Sequence, residues 1–378
     1  MDRTKNIYPN VVPWLEQGQP LALATIIETT GSTPQIPGAS ALFSEQGLLL
    51  GTLGGGILEA EAQERALRCL KSGRSLIYEL KLRGDAVAGE EALCGGSATI
   101  LIDGSPGDHL DTFERLRTGI RDRRSGLLVT QMEFRQGRDA AIRRFWLEEA
   151  KDPVGLAQRR FPLDPAEIRK ARREGRPRLF PIKEGKTGKT KREGKERRAK
   201  KDRKDTFCFL EPLSPLPRLV IAGAGHIGRA VARLGQLLDF EVTVIDDRAE
   251  YANRRRLPEA DTIMVDDIGR AVAGFPVEPD TYIVIVTRGH LNDAEALRAC
   301  IKSSAAYIGM VGSRRKIALM REEFMAKRWA TAREFDRIHA PIGLPIGSKT
   351  VEEIAVSIAA ELVQVRSGSA GEKAGRDG

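Results

Sequence analysis

Residues 218–228 read Arg218-Leu-Val-Ile-Ala-Gly-Ala-Gly-His-Ile-Gly228, a short apolar run that leads into a glycine-rich turn. A stretch with amphipathic helical spacing follows the turn. Glycines at Gly223, Gly225 and Gly228 permit a tight bend between a strand and a helix and let the backbone approach a phosphate closely. The pattern predicts a dinucleotide-type site, and it is unusual in placing His226 inside the turn.

The next apolar run closes with Asp246 and Asp247, about 20 residues further on, where an acidic residue of a dinucleotide-binding fold holds a ribose hydroxyl. More apolar runs follow, separated by stretches with helical spacing. Uniformly apolar strands that alternate with helices indicate a parallel, doubly wound sheet. We therefore predict a Rossmann-like α/β domain over residues 217–366. Its strands are predicted at residues 218–222, 241–246, 262–265, 281–287 and 307–311, and its helices at 227–238, 293–302, 314–327 and from 350 to about 366.

The first part of the chain has a different pattern. Short apolar runs are joined by Gly and Pro turns, and residues 57–70 carry apolar side chains at helical spacing. Residues 1–167 are therefore predicted to form an N-terminal mixed α+β domain, and residues 206–216 its last strand and a linker. The other strands are predicted at residues 21–27, 39–43, 48–51, 76–82, 98–103, 127–134 and 142–147.

The charge of the chain is concentrated in one segment. Of the net +9, +7 comes from residues 183–205, where twelve Lys or Arg stand against five Asp or Glu. Such a run without apolar periodicity is typical of a disordered insertion, which we predict over residues 168–205, and a disordered tail is predicted over 367–378. The rest of the chain is close to neutral, so binding to nucleic acid is not expected.

No run of apolar residues reaches the length of a membrane span and no secretory signal is evident, so a cytoplasmic, membrane-free protein is expected. The four cysteines form no Cys-x-x-Cys pair, which indicates neither a zinc site nor a disulfide framework. Cys94 lies beside Gly95 and Gly96 and could ligate a soft metal or transfer sulfur if its thiolate is stabilised. A lone cysteine beside glycines is more often structural.

Three of the four histidines lie in Gly- or Asp-rich segments of the second half, namely His226, His290 and His339. The segments after the first and fourth strands of a doubly wound sheet emerge at the same edge, where ligands bind. His226 and His290 are therefore predicted to face one pocket, with Asp293 in the same segment as His290. Each histidine could instead simply cap a turn.

Two further glycine-containing turns open helices. Gly312, Ser313, Arg314 and Arg315 follow the fifth strand, and their backbone donors and guanidinium groups suit an anion. A serine cap with solvated arginines explains the same residues. In the first domain, a glycine turn that includes Gly55 and Gly56 leaves backbone N–H groups open to a bulky ligand, and we predict that these glycines and Glu59 form part of a ligand site. Glu59 lies in the first turn of a helix, where it could instead simply balance the helix dipole.

Taken together, these segments resemble the XdhC/CoxI family, the accessory proteins of xanthine dehydrogenase and related molybdenum hydroxylases. The order and number of the motifs carry the resemblance. They are Ala24-Thr25, Gly31-Ser-Thr-Pro34, Pro37-Gly-Ala39, Gly55-Gly56, Glu59, Cys94-Gly-Gly96, Gly223-Ala-Gly-His-Ile-Gly228, Asp246-Asp-Arg248, Thr287, His290, Asp293, Gly312-Ser-Arg-Arg315 and His339-Ala-Pro-Ile-Gly343.

The resemblance implies a chaperone that binds molybdenum cofactor (molybdopterin), shields it while a cysteine desulfurase partner supports its sulfuration, and passes it to an apo molybdenum hydroxylase. It implies that the glycine turn at Gly223 cradles a phosphate and that Cys94 lies near the metal. A homodimer is also expected. The chain departs from the family pattern in two places. Gly56 stands where the family usually has a cysteine, which leaves Cys94 as the one retained motif thiol, and Arg288 stands in the place of the histidine of the usual Thr-His pair.

Two other functions fit the same residues. The first is an NAD(P)-dependent oxidoreductase, with His290 or His226 as acid or base and Asp246 on the adenine ribose. The second is an assembly scaffold whose basic insertion docks partners and whose nucleotide fold is vestigial. The glycine turn does not distinguish a pterin phosphate from a dinucleotide, because both ligands present phosphate.

Overall fold

A computed structural model describes residues 7–82, 96–134, 140–149, 164–182 and 205–375. The chain divides into two compact units, Met1–Pro215 and Leu216–Gly378. No helix in these ranges is long and apolar enough to span a membrane.

The second unit contains one sheet of five parallel strands. The strands are β10 (Arg218–Ala222), β11 (Glu241–Asp246), β12 (Thr262–Val265), β13 (Thr281–Ile285) and β14 (Tyr307–Met310). Their order is β12-β11-β10-β13-β14, so the glycine turn follows the central strand, where the winding direction reverses. The predicted Rossmann-like α/β sheet is confirmed.

Helices cover both faces of this sheet, and apolar side chains of β10 point into both layers. Val220 and Ala222 belong to one buried cluster, and Leu219 and Ile221 to the other. This burial on two faces explains why the strand is apolar throughout. The helices are His226–Leu237, Ile268–Gly274, His290–Cys300, Arg314–Ala326, Ala332–Asp336 and Val351–Gly375.

The first unit is built on two antiparallel sheets, which confirms the predicted α+β class. The strands are β1 (Ala22–Thr30), β2 (Ser40–Ser44), β3 (Gly47–Gly51), β4 (Leu76–Leu82), β5 (Gly96–Asp103), β6 (Gly126–Phe134), β7 (Ala140–Glu148), β8 (Arg178–Pro181) and β9 (Asp205–Leu213). The first sheet has the order β3-β2-β1-β5-β4 and the second the order β7-β6-β9-β8. The helices are Tyr8–Glu16, Gly56–Ser72, Leu110–Arg121 and Pro165–Glu174, with a short 3-10 turn at Pro106–His109.

Two predicted boundaries differ from the structure. Part of the insertion predicted to be disordered from residue 168 is ordered, because helix Pro165–Glu174 buries Ile168 and Ala171 and strand β8 pairs with β9. Residues 183–204, the most basic part, lie outside the described residues. The last helix reaches Gly375, so it extends into the tail predicted to be disordered from residue 367.

Candidate functional site

The glycines of the turn after β10 have two different roles. Gly223 has φ +117°, and a Cβ there would lie 2.5 Å from the Val286 carbonyl oxygen, while a Cβ at Gly228 would lie 1.9 Å from the Gly223 carbonyl oxygen. These two glycines are required by close backbone packing. A Cβ at Gly225 would meet no atom within 4 Å, so this position is open.

The helix His226–Leu237 begins at this open position. Gly225 is its N-cap, and no side chain caps it in the described part of the chain. The first N–H groups of a helix have no partner within the helix, and the helix dipole places partial positive charge there. The turn is therefore suited to binding an anion such as a phosphate.

Asp246 is buried at the end of β11 and is fully engaged with protein groups. Its carboxylate accepts hydrogen bonds from the Ala224 N–H at 2.7 Å and from Nε and Nη2 of Arg248 at 2.9 and 3.0 Å. Burial acts to raise the pKa of Asp246, but hydrogen bonds from Arg248 and Ala224 outweigh burial and hold that pKa below its usual value. In this geometry Asp246 orients the turn and Arg248, and its contact with a ribose remains a prediction.

Two guanidinium groups line a pocket of about 350 Å³ at the carboxyl ends of the strands. Arg248 lies 3.8 Å over the ring of Tyr251, and Arg288 forms an ion pair with Asp247 at 3.2 Å. The other lining residues include Gly223, Gly225, His226, Thr287 and Val351. The pocket thus combines open helix donors with cationic side chains, the two features that recognise a phosphate.

Sequence reasoning missed Arg248, Tyr251 and Thr287 as pocket residues. Arg248 carried a usable signal, because it directly follows the acidic pair at the end of β11, where an arginine accommodates a ribose phosphate in related folds. Thr287 also carried a signal, because it belongs to the motif through which the chain resembles the family. Tyr251 gave no comparable signal, because nothing in the local sequence shows that it lines the pocket.

His290 and Asp293 open the helix after β13, but neither lines this pocket in the described structure. His290 Nε2 lies 3.4 Å from Glu323 Oε2. Asp293 is completely buried. Its carboxylate accepts hydrogen bonds from the Thr287 hydroxyl at 2.6 Å and from the Thr287 backbone N–H at 3.2 Å, and it forms an ion pair with Lys316. Asp293 therefore holds the pocket residue Thr287 in place, and direct ligand contacts of His290 and Asp293 remain predictions.

The turn before the helix Arg314–Ala326 has an ordinary serine cap. Ser313 Oγ accepts a hydrogen bond from the Lys316 N–H at 3.2 Å, while Arg314 and Arg315 are exposed. A Cβ at Gly312 would lie 2.9 Å from Ile317 Cδ1, the end of a flexible side chain that can move aside, so packing does not require a glycine at this position. Anion binding by these residues remains a prediction.

His339 takes part in a buried structural network. Its Nδ1 lies 3.0 Å from Oε1 of Glu361, whose other oxygen accepts hydrogen bonds from the Tyr307 hydroxyl and from the Gly343 N–H. These bonds join the last helix to the end of the sheet. The structure therefore assigns His339 a role in packing.

In the first unit, Glu59 stabilises the turn before its own helix. Its Oε2 accepts hydrogen bonds from the Thr52 hydroxyl at 2.8 Å and the Leu53 N–H at 3.1 Å. Gly55 and Gly56 both have positive φ, and a Cβ at either would meet no atom within 4 Å. The two glycines leave the backbone exposed, and ligand binding here remains a prediction.

The predicted metal thiol, Cys94, lies outside the described residues. Cys69, Cys208 and Cys300 are buried, and burial raises the pKa of both Cys208 and Cys300 to about 12, which keeps these thiols protonated. Among the described side chains, no group of three or more His, Cys, Asp or Glu is arranged to hold a metal ion.

Two family models match the chain in the places where these features occur. Residues 219–362 match the XdhC Rossmann domain, and residues 14–81 match the XdhC and CoxI family. The chain belongs to the XdhC and CoxI family. The Rossmann match contains the whole phosphate-type pocket, and the other match contains Gly55, Gly56 and Glu59. The family predicted from the order of the motifs is confirmed.

Curated relatives extend the XdhC and CoxI similarity across nearly the whole chain. This chain is 34% identical to an uncharacterized protein, YqeB, of Escherichia coli (strain K12), and the match covers 97% of this chain but 47% of that protein. The chain thus spans about half the length of this relative. It is 24% identical to a probable xanthine dehydrogenase subunit of Bacillus subtilis (strain 168), over 93% of this chain and 95% of that protein.

A crystal structure described as a xanthine dehydrogenase from Bacillus halodurans matches the fold of this XdhC and CoxI family member. The TM-score is 0.70, and the match covers 96% of each chain. At 22% identity, this likeness concerns the fold alone.

Proposed function

We propose that this chain is an accessory protein of a xanthine dehydrogenase-type molybdenum hydroxylase. In this role it binds molybdenum cofactor, supports sulfuration of the cofactor by a cysteine desulfurase, and passes it to the apo-hydroxylase. The pocket at the glycine turn is the observation that carries the proposal, because it offers an anion open backbone donors and two guanidinium groups in one place. Membership of the XdhC and CoxI family and the name of the Bacillus subtilis relative support the choice of cofactor and client.

The residues of the pocket fit the phosphate end of a pterin cofactor. The open position at Gly225 leaves room for phosphate oxygens beside the first N–H groups of the helix. Arg248 and Arg288 each pair with an aspartate, so they contribute guanidinium N–H donors rather than a net positive charge. One helix N-terminus stabilises an anion by about 0.3–2 kcal/mol, whereas nanomolar binding requires about 12 kcal/mol. Several groups must therefore act together. Arg248 is well placed for this because Asp246 already fixes its guanidinium.

When bound, the cofactor would supply the molybdenum centre, and this chain would hold its phosphate and limit its exposure to water. We propose that Cys94 is a ligand of the metal and that Gly55, Gly56 and Glu59 also contribute to binding the cofactor. The glycine turn and the two arginines would bind the phosphate, and the Asp293–Thr287 hydrogen bond would keep the pocket wall in position.

The proposal is tested by purifying the full chain without air from a host that makes the cofactor. Molybdenum content and the fluorescence of the oxidised pterin are then measured. We expect the wild-type protein to retain both. Absence of both, together with failure to activate an apo-hydroxylase, would overturn the proposal.

Gly225→Ala provides the matched variant, because its methyl group enters the open position without meeting any protein atom. We expect the purified variant to retain at least ~10-fold less molybdenum and pterin, a loss of about 1.4 kcal/mol of binding. Gly274→Ala is the control, since Gly274 also lies in open space in the second unit but does not line the pocket. Equal cofactor content in both variants would remove the glycine turn from the proposed site.

A second candidate function is an NAD(P)-dependent oxidoreductase. The observation that favours it is the position of Arg248, directly after the acidic pair of β11, where an arginine accommodates the 2′-phosphate of NADP in related folds. This candidate is tested by titrating the protein with NADH and NADPH and following cofactor fluorescence. It requires NADPH to bind more tightly than NADH and Arg248→Ala to abolish the difference. No binding at millimolar cofactor would exclude it.

A further inference from the structure

The helices His226–Leu237 and Val351–Gly375 run side by side on the surface of the second unit. Their first residues are neighbours, because His226 and Val351 line the same pocket. Further along, Arg366 donates a hydrogen bond to the Leu238 carbonyl oxygen at 2.7 Å. The two helices are therefore parallel, and they leave a groove of about 450 Å³ between their outer faces.

The floor of this groove is apolar and open to solvent. Its apolar lining consists of Ala230, Leu234, Leu237, Val351, Ala355 and Val356. Leu237 is 77% exposed and Val356 is 49% exposed. Single exposed apolar side chains are ordinary, but apolar residues grouped on facing walls of a groove are typical of an interaction surface.

The two rims of the groove carry opposite charges. Arg229 and Arg233 lie on the first helix, four residues apart, and Glu352 lies on the second. All three side chains line the groove. Arg229 and Glu352 both lie near the starts of their helices, so they occupy the same end of the groove.

We propose that this groove binds the same groove of a second copy of the chain, related by a two-fold axis that runs along it. Such an axis exchanges the two rims, so the arginine rim of one copy faces the acidic rim of the other. Arg229 then lies opposite Glu352 of the partner subunit, while Leu237 and Val356 are covered from both sides.

The charge pattern favours a second copy over other partners. A two-fold interface must be complementary to itself, and a surface with a basic rim on one side and an acidic rim on the other meets that condition. A membrane surface would favour a purely basic rim. His226 and Val351 line both the groove and the phosphate-type pocket, so this contact lies directly beside that pocket, although the inference is independent of the ligand.

The test measures the mass of the full chain in solution across a dilution series by sedimentation or light scattering. We expect a dimer for the wild-type protein. Leu237→Glu is expected to raise the dimer dissociation constant at least ~100-fold. The dimer buries two copies of this side chain, and the loss of each is expected to raise the dissociation constant about tenfold or more. Leu291→Glu is the control, since Leu291 is 74% exposed in the same unit and does not line the groove.

A charge exchange tests the pairing itself. Arg229→Glu and Glu352→Arg each place like charges opposite one another in the proposed dimer, so each is expected to weaken it, while the double variant restores opposite charges and the dimer. Thermal unfolding confirms that each variant is folded. The proposal is overturned by a monomeric wild-type protein, by an unchanged dimer in Leu237→Glu, or by a double variant that is weaker than both single variants. A monomer that loses hydroxylase binding in Leu237→Glu also overturns it, in favour of a different partner.

Discussion

Gly225 and Gly228 belong to the same motif, yet the structure predicts opposite consequences for an alanine at each. A Cβ at Gly228 would lie 1.9 Å from the Gly223 carbonyl oxygen and 3.3 Å from Ile221 Cγ2. The first contact is with backbone, which no side-chain rotation relieves. A Cβ at Gly225 would meet nothing within 4 Å, and the φ of −68° at this residue is one that alanine readily adopts.

The magnitudes follow from local terms. Within a helix, alanine in place of glycine adds about 1 kcal/mol of stability, and Gly228 lies in the helix His226–Leu237, so this gain applies to Gly228→Ala. Overpacking costs about 1–3 kcal/mol and more when backbone must move, so we expect Gly228→Ala to destabilise the second unit by about 2 kcal/mol. Gly225 is an N-cap, where alanine is worse than glycine by about 0.5 kcal/mol. In a domain of this size these values lower Tm by about 4–8 °C and about 1–2 °C respectively.

The assay is thermal unfolding of the full chain, followed by circular dichroism and repeated in urea to obtain the free energy of unfolding. Gly274→Ala serves as the control for a glycine in open space. If Gly225→Ala proves as destabilising as Gly228→Ala, the distinction between a packing glycine and a ligand-facing glycine is wrong.

Three further predictions concern buried acidic residues. Hydrogen bonds hold the pKa of Asp246 below its usual value, so the ionised carboxylate stabilises the second unit above about pH 4. This contribution is lost as the pH falls through the pKa of Asp246 in the folded protein. In Asp246→Asn the free energy of unfolding should therefore fall less steeply at acidic pH than in the wild-type protein. Asp103→Ala should cost about 3–5 kcal/mol in urea unfolding, because it leaves the buried guanidinium of Arg144 unpaired, and replacing both residues with apolar ones should recover most of that loss. Burial raises the pKa of Glu211 to about 8, so between about pH 4 and 8 this residue ionises in the unfolded chain but not in the folded protein, and the first unit should lose stability as the pH rises. In Glu211→Gln this loss should disappear. The Tm of the variant at pH 8 should then exceed that of the wild-type protein.

The sequence predicted the second unit closely. All five strands lie where predominantly apolar runs occur, and four of the helices follow from apolar spacing of about 3.6 residues. Such patterns are local, because a central strand such as β10, which is buried on both faces, is apolar at nearly every position. Helix Ile268–Gly274 was not predicted because it has only seven residues, too few for a clear helical periodicity.

The first unit was harder to predict. The helices Tyr8–Glu16, Leu110–Arg121 and Pro165–Glu174 were not predicted, although each buries one face. Pro13 lies inside the first of these helices and weakens its sequence signal. The helix Pro165–Glu174 is strongly charged and adjoins a basic run, so its buried residues Ile168 and Ala171 were overlooked.

By itself, the sequence determined the parallel sheet, the α+β class of the first unit, the family and the position of the glycine turn, because local residue patterns and their order along the chain specify each of them. The antiparallel pairing of the first unit was seen only in the structure. Only the tertiary structure decided which candidate side chains face the pocket. Asp246 binds Arg248, Asp293 binds Thr287 and Lys316, and His339 binds Glu361. Two of these partners lie about 20 residues away along the chain. A polar side chain is oriented by whichever partner the fold brings within hydrogen-bond distance, and residue type and spacing along the chain do not specify that partner.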